Sequence, residues 1–228
     1  MKSVSLIGFA LLLVLALCPA KGLAQNSDDI KTQVNTLVRK HYMDGIPYER
    51  ANALGPLALP FLFEILDNSA DKLFWVNTIV TIGFIEDTSA VDPLIEMLEA
   101  PRGEVDSATF RALLSVPYAL GCIAANGNAR SLEYLAGNLD VSSNQSIRWR
   151  FRNKPTTELI AEQSVMGLAV SGRQEARKLL RELQIKTKGK MNLKGEALGT
   201  AAIDQGLIIM DRINAKGRAA VLNPHKED

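Results

Sequence analysis

Residues 75–98 read W-V-N-T-I-V-T-I-G-F-I-E-D-T-S-A-V-D-P-L-I-E-M-L, and the fold class is most evident from this stretch. Its first part repeats apolar residues at helical spacing as far as Phe84. A polar turn follows at residues 86–88, and the second part is again apolar at helical spacing from Ala90 onward. Pro93 lies in the first turn of the second part, where its missing amide hydrogen does little harm. The stretch therefore predicts two helices joined by a tight turn.

Apolar segments of the same kind lie on both sides, at residues 57–66, 107–138, 156–183 and 195–213. Each predicted hairpin has one apolar side that it cannot bury alone, so neighbouring hairpins must stack. We expect an all-α fold over residues 25–214, an α-solenoid of about four to five stacked antiparallel helical hairpins. Glycines recur at Gly55, Gly83, Gly121, Gly167 and Gly199, with intervals of 28, 38, 46 and 32 residues that fall in the range of such repeats.

The motif I-G-F-I-E-D-T-S-A-V-D-P-L-I-E-M-L at residues 82–98 resembles HEAT-like repeats, especially the short class named after the phycobilisome lyases. Residues 55–66 match the glycine, alanine, proline and leucine positions of the pattern well, residues 119–139 match it moderately, and residues 166–183 match it weakly. The resemblance implies an exported bacterial α-solenoid that serves as a binding scaffold. A few members of the class handle bilin chromophores, so a chromophore lyase-like enzyme is the least favoured function that it implies. It carries over no catalytic residue.

The first 24 residues have the layout of a cleavable secretory signal, with Lys2 before an apolar run at residues 6–17. Small residues then precede a cut after Ala24, or alternatively after Ala20. Cys18 follows a sequence that resembles a bacterial lipobox, but Leu17 stands where a small residue belongs. We expect a periplasmic or secreted protein without a transmembrane segment after signal removal, and a lipid anchor or an uncleaved signal is the alternative. Residues 215–228 are polar and predict a flexible tail.

Charge is divided unevenly along the chain that remains after the signal. Residues 25–146 carry 8 basic and 16 acidic side chains, whereas residues 147–195 carry 12 basic and 4 acidic ones. One part of the molecule should therefore be negative and another positive. Cys122 is the one cysteine left, so no internal disulfide can form, and its apolar neighbours predict a buried, inert thiol.

Residues that would indicate catalysis are scarce. The only histidines are His41 and His225, and no metal-binding spacing, nucleophile elbow, P-loop or dinucleotide fingerprint appears. Glu86 and Asp87 form the most exposed carboxylate pair that we predict, but their place in the repeat turn favours helix capping over acid–base chemistry. We expect no enzyme activity, no cofactor and no metal.

Residues 147–155 read I-R-W-R-F-R-N-K-P, with a basic side chain at every second position between aromatic ones. Such a composition is typical of loops that bind anionic groups through charge and stacking. In the alternative interpretation it is a long connection whose aromatic side chains pack inward while the arginines stay in water. A second basic run, residues 186–194, is either a solvated linker or an extension of the same patch. The candidate binding patch comprises Arg148, Trp149, Arg150, Phe151, Arg152 and Lys154.

These observations lead to an exported, non-enzymatic scaffold that binds a protein partner or an anionic ligand. A nucleic acid partner is not expected. The alternative is a structural envelope protein that assembles with itself through its acidic and basic parts.

Overall fold

The computed structural model describes residues 21–142, 144–188 and 200–222, and within them the protein is mostly helical. The expectation of a predominantly α-helical fold is therefore confirmed, with the addition of one small three-stranded sheet. The helices are α1 Lys21–Val38, α2 Tyr48–Asn52, α3 Leu59–Asp67, α4 Trp75–Ile85, α5 Val91–Glu99, α6 Ser107–Ala124, α7 Ala129–Gly137, α8 Thr157–Ser171, α9 Gln174–Lys188, α10 Thr200–Lys216 and α11 Arg218–Leu222. The strands are β1 Arg102–Glu104, β2 Arg148–Phe151 and β3 Lys154–Pro155.

Helices α4 and α5 form at residues 75–98, where the sequence predicts two helices joined by a tight turn. Helix α4 ends where Glu86 adopts the left-handed conformation, with φ of 63°. Asp87 then accepts a hydrogen bond from the amide of Ser89 at 2.8 Å, which caps the short helical turn that leads into α5. Ile82 of α4 and Leu94 of α5 are completely buried. The predicted pair of helices and the predicted capping role of Asp87 thus both appear in the structure.

Five helices form a row in which each packs against the next one in chain order: α2, α4, α6, α8 and α10. Helix α4 contacts α2 and α6, α6 contacts α8, and α8 contacts α10. Helices α3, α5, α7 and α9 each pack against the next helix of that row. The core runs continuously through these contacts, because buried residues from α1 to α10 belong to one hydrophobic cluster.

Glycines allow the helices of this row to approach closely. A Cβ atom on Gly83 would lie 2.6 Å from the Cα of Ala119, and one on Gly121 would lie 2.0 Å from the carbonyl oxygen of Gly167. Gly206 has the same role in α10, where an added Cβ would meet Val165 at 2.9 Å. Of the five glycines that recur in the sequence, Gly83, Gly121 and Gly167 therefore lie at helix contacts. Gly55 forms a turn with φ of 65°, and Gly199 lies outside the described residues.

Helix α6 is the central member of the row. Within the described residues it is the one helix long and apolar enough to cross a membrane, with a mean hydropathy of 1.2, and 56% of that window is buried inside the protein. Its apolar side chains, among them Leu113, Leu120 and Ile123, pack in the core between α4 and α8.

The three-stranded sheet lies where the sequence predicts connecting loops. Strand β1 pairs in parallel with β2, and β2 pairs with β3 in an antiparallel hairpin. The strands within residues 100–106 and 140–155, which lie between the predicted helical segments, are not anticipated by the sequence. The reason is that β1 and β2 are too far apart in the chain for local sequence to show that they pair.

The C-terminal part is more ordered than the predicted flexible tail. Helix α10 continues to Lys216, Gly217 has φ of 82°, and α11 follows and packs against α2 and α10. Residues 223–228, with His225, lie outside the described residues, as do residues 189–199 of the second basic run. The same holds for residues 1–20 of the predicted signal, including Cys18.

Candidate functional site

The sheet presents its basic side chains on one face. Arg148 and Arg150 are exposed, whereas Trp149 between them is buried, which is the alternation expected of a strand with one wet face. In the parallel register Arg102 lies opposite Arg148, and Glu104 lies opposite Arg150. Arg102 is also exposed, so the pairing places a third arginine beside the two that the sequence pattern indicated.

Trp149 holds β2 against the helices. Its side chain is 1% exposed, and its indole N–H donates to the carbonyl oxygen of Leu98 at 3.0 Å, near the end of α5. The Thr156 hydroxyl donates to the carbonyl oxygen of Trp149 at 2.9 Å, which ties the strand to the beginning of α8. Trp149 therefore fixes the position of the strand, and its ring is not available for stacking on a ligand.

Phe151 supports the other end of β2. Its ring stacks on Phe110 of α6 with centroids 3.9 Å apart and an angle of 12° between planes. Phe110 also contacts Trp149 edge to face, at 6.3 Å between centroids. The aromatic members of the candidate patch thus pack on α6 and position the arginines, as in the second of the two interpretations of the sequence.

The turn between β2 and β3 is held by a carboxylate. Arg152 and Asn153 have φ of 53° and 60°, the combination found in two-residue turns of β-hairpins. Glu104 of β1 accepts hydrogen bonds from both of their backbone amides, at 2.5 and 3.2 Å. Because this one carboxylate is occupied by the turn, it does not pair with the arginine side chains next to it.

Three of the five cations of the sheet are held by contacts other than ion pairs. The Arg148 Nε donates to the carbonyl oxygen of Gln145 at 3.1 Å, and Arg102 donates to the carbonyl oxygen of Ala100 at 3.0 Å. The Arg152 guanidinium lies 5.1 Å from the ring centre of Phe151. Within the described part of the chain none of these arginines forms an ion pair with a carboxylate. We call the exposed side chains of this surface the basic sheet: Arg102, Arg148, Arg150, Arg152 and Lys154.

A second polar cluster lies around Glu86, whose side chain is only 7% exposed. The prediction that Glu86 belongs to an exposed pair is therefore wrong, because the Tyr48 hydroxyl and the Asn126 amide each donate to it at 2.8 Å. Arg218 of α11 completes the cluster by donating to the same carboxylate. Burial and the hydrogen bond to Glu86 raise the pKa of Tyr48 to about 12. The sequence gives no local signal for this cluster, since its members are far apart in the chain.

Cys122 lies beside this cluster and is fully buried, as predicted. Burial raises the pKa of its thiol to about 12, so the reactive thiolate is scarce at neutral pH. His41 is exposed. No group of three or more histidine, cysteine or acidic side chains among the described residues could hold a metal ion.

The concave features of the surface are open grooves. One, with a volume of about 420 Å³, lies between α3 and α5 and is lined by Phe63, Leu66, Asp67, Pro93, Glu96, Met97 and Ala100.

Comparisons with protein-family models, with curated proteins and with solved structures return no match for this chain. The chemistry of the exposed surfaces therefore carries the functional interpretation.

Proposed function

We propose that this protein is an exported binding scaffold, an α-solenoid of stacked helical hairpins that presents the basic sheet to an acidic partner. The solenoid is supported by the row α2, α4, α6, α8 and α10, in which each helix contacts its neighbour in chain order. It is also supported by the glycines that permit the α4–α6 and α6–α8 crossings. Export is supported by the N-terminal sequence pattern alone.

One observation carries the binding role. Five cations project from a small sheet whose inward side is fixed by Trp149 and Phe151, and whose nearest carboxylate, Glu104, is occupied by backbone amides. Cations that are held on a rigid frame lose less conformational entropy on binding than cations on a mobile loop. The basic sheet is therefore suited to carboxylate or phosphate groups on a partner.

The size of the effect follows from the exposure of these arginines. An exposed ion pair contributes about 0.2–1 kcal/mol, so two arginines together account for roughly 0.4–2 kcal/mol, or about a 2- to 30-fold change in affinity. Complementary charge also accelerates association, and salt reduces that acceleration.

The direct test compares two double variants of equal charge. In the first, Arg148 and Arg150 are changed to Ser; in the second, Arg181 and Arg212 are changed to Ser as exposed controls on α9 and α10. Binding of a fluorescent poly-glutamate peptide and of vesicles with anionic headgroups is measured at low and physiological salt. We expect the first variant to lose about 2- to 30-fold in affinity for at least one probe, with the control unchanged. Equal losses in both variants, or no binding by the unmodified protein, would refute the proposal.

Self-assembly is the second candidate, and the groove between α3 and α5 favours it. Asp67 and Glu96 line this groove beside Phe63 and Met97, so it offers both negative charge and apolar surface to the basic sheet of another copy. Sedimentation at low and high salt tests this directly. A species that is monomeric at both salt concentrations excludes self-assembly and leaves the scaffold proposal standing.

A further inference from the structure

The Glu86 carboxylate is a buried acceptor on which three side chains converge. The Tyr48 hydroxyl reaches one oxygen and the Asn126 amide reaches the other, each at 2.8 Å. The Tyr48 ring lies 5.7 Å from the centre of the Arg218 guanidinium, and it also packs edge to face on Phe84 at 5.2 Å. A carboxylate with an aromatic ring beside it is a favourable environment for a guanidinium group.

Arg218 belongs to a short segment that lies across this site. Gly217, with φ of 82°, separates α10 from α11, and α11 contains only five residues, Arg218–Leu222. One face of α11 is less exposed than the other and carries Arg218, Val221 and Leu222, which follow one another at spacing i, i+3 and i+4. The other face carries Ala219 and Ala220, which are exposed. The segment therefore rests on the protein through one charged and two aliphatic side chains.

The fit of Arg218 is incomplete. Its side chain is 15% exposed, yet its Nε atom is buried and has no hydrogen-bond partner among the described residues. A buried donor without a partner opposes burial of the group that carries it. None of the residues of α11 is fully buried. Segments with few buried contacts open more readily than the core, so α11, which is held by the Arg218–Glu86 ion pair and the partly buried Val221 and Leu222, should open before the core does.

We infer that the surface formed by Tyr48, Glu86 and Asn126 is a docking site for an arginine-led helical segment, occupied in this structure by the chain's own α11. The partner is a segment with an arginine followed by aliphatic residues three and four positions later, the pattern that α11 itself shows. Such a segment displaces α11 by rotation about Gly217. This site is separate from the basic sheet and does not depend on its role.

The experiment uses the full chain and a fluorescent peptide with the sequence of residues 211–222. Arg218→Ala removes the anchor of α11 and leaves the site intact, and Arg212→Ala is the matched control at an exposed arginine of α10. Because an attached segment competes at high effective concentration, the unmodified protein should bind the peptide weakly. We expect Arg218→Ala to bind it at least tenfold more tightly than either the unmodified protein or the Arg212→Ala control.

Two further variants identify the chemistry of binding. Glu86→Gln in the Arg218→Ala chain removes the charge of the acceptor, and a peptide with alanine in place of the arginine that corresponds to Arg218 removes the donor. Each change should reverse the tenfold gain. Circular dichroism establishes whether the variant chain is folded. The inference is overturned if folded Arg218→Ala binds the peptide no better than the control, if binding survives either of the two changes, or if Arg218→Ala unfolds the protein.

Discussion

Replacing Gly121 by Ala tests whether α6 and α8 cross as closely as the structure shows. The new Cβ atom would lie 2.0 Å from the carbonyl oxygen of Gly167 and 2.6 Å from its Cα, whereas ordinary van der Waals contact is 3.4–4 Å. Neither of those atoms can move without the backbone of α8, so the two helices must separate. Separation loosens the packing of buried neighbours on both helices, such as Leu120 and Leu168.

The expected change in unfolding free energy follows from two opposing terms. Overpacking in a core typically destabilises by about 1–3 kcal/mol, and sometimes by more when backbone atoms collide. Alanine favours a helix over glycine by about 1 kcal/mol, which offsets part of that loss. Gly137→Ala is the matched control, because Gly137 is helical and exposed and an added Cβ there would meet nothing within 4 Å.

Urea denaturation followed by circular dichroism measures both variants. We expect Gly137→Ala to be neutral or slightly stabilised and Gly121→Ala to be less stable than that control by about 1–3 kcal/mol, because the gain in helix propensity is common to both variants. Gly121→Ala would also show where the strain goes, since a lower denaturation midpoint with an unchanged slope means that the native state is destabilised but still compact. Stabilities that agree within about 0.5 kcal/mol would refute the close crossing.

Three further predictions concern single side chains. Asp106 caps α6 and pairs with Lys72 at 2.7 Å, interactions that hold the pKa of its carboxyl well below the usual range, so Asp106→Ala should reduce stability at pH 7 by about 1–2 kcal/mol and Asp106→Asn, which retains a capping oxygen, by less. Because that pKa is lowered on folding, the stability that the unmodified protein has over these variants should be fully present above about pH 4. It should shrink as the pH falls through the lowered pKa, as urea titrations at several pH values would show. Trp149→Ala should cost about 3–5 kcal/mol, whereas Trp149→Phe should cost less and chiefly remove the hydrogen bond to Leu98; a negligible loss in Trp149→Phe would show that the indole N–H is unimportant, and losses equal to those of Trp149→Ala would show that the ring packing is. In a Cys18→Ser chain, Cys122 should react with a thiol reagent at pH 7 only upon addition of denaturant, and rapid reaction without denaturant would contradict its burial.

The sequence predicts well the parts of the fold that are determined locally. The helices around Glu86 follow from helical spacing and turn residues within one stretch, and three of the glycines that mark the predicted repeats, Gly83, Gly121 and Gly167, lie where helices touch. The strand β2 had a usable local signal, because charged and aromatic residues alternate with period two from Arg148 to Phe151.

Pairings between distant segments account for what the sequence did not predict. Arg102 joins the basic sheet only because β1 pairs with β2, and nothing near Arg102 indicates that partner. The local sequence marks Glu86 as a turn residue, and the arginine that pairs with it, Arg218, is 132 residues further along the chain. Long-range contacts of this kind have no periodicity that a single sequence displays.

The most direct test of the scaffold proposal is to observe where an acidic partner binds. Arginine Nε–H resonances, recorded by nuclear magnetic resonance while a poly-glutamate peptide is added, distinguish the arginines of the basic sheet from those elsewhere once they are assigned. We predict that the signals of Arg102, Arg148 and Arg150 shift together, while those of Arg181 and Arg212 stay in place. Shifts confined to other arginines, or no shift at low salt, would contradict the proposal that the basic sheet is the binding surface.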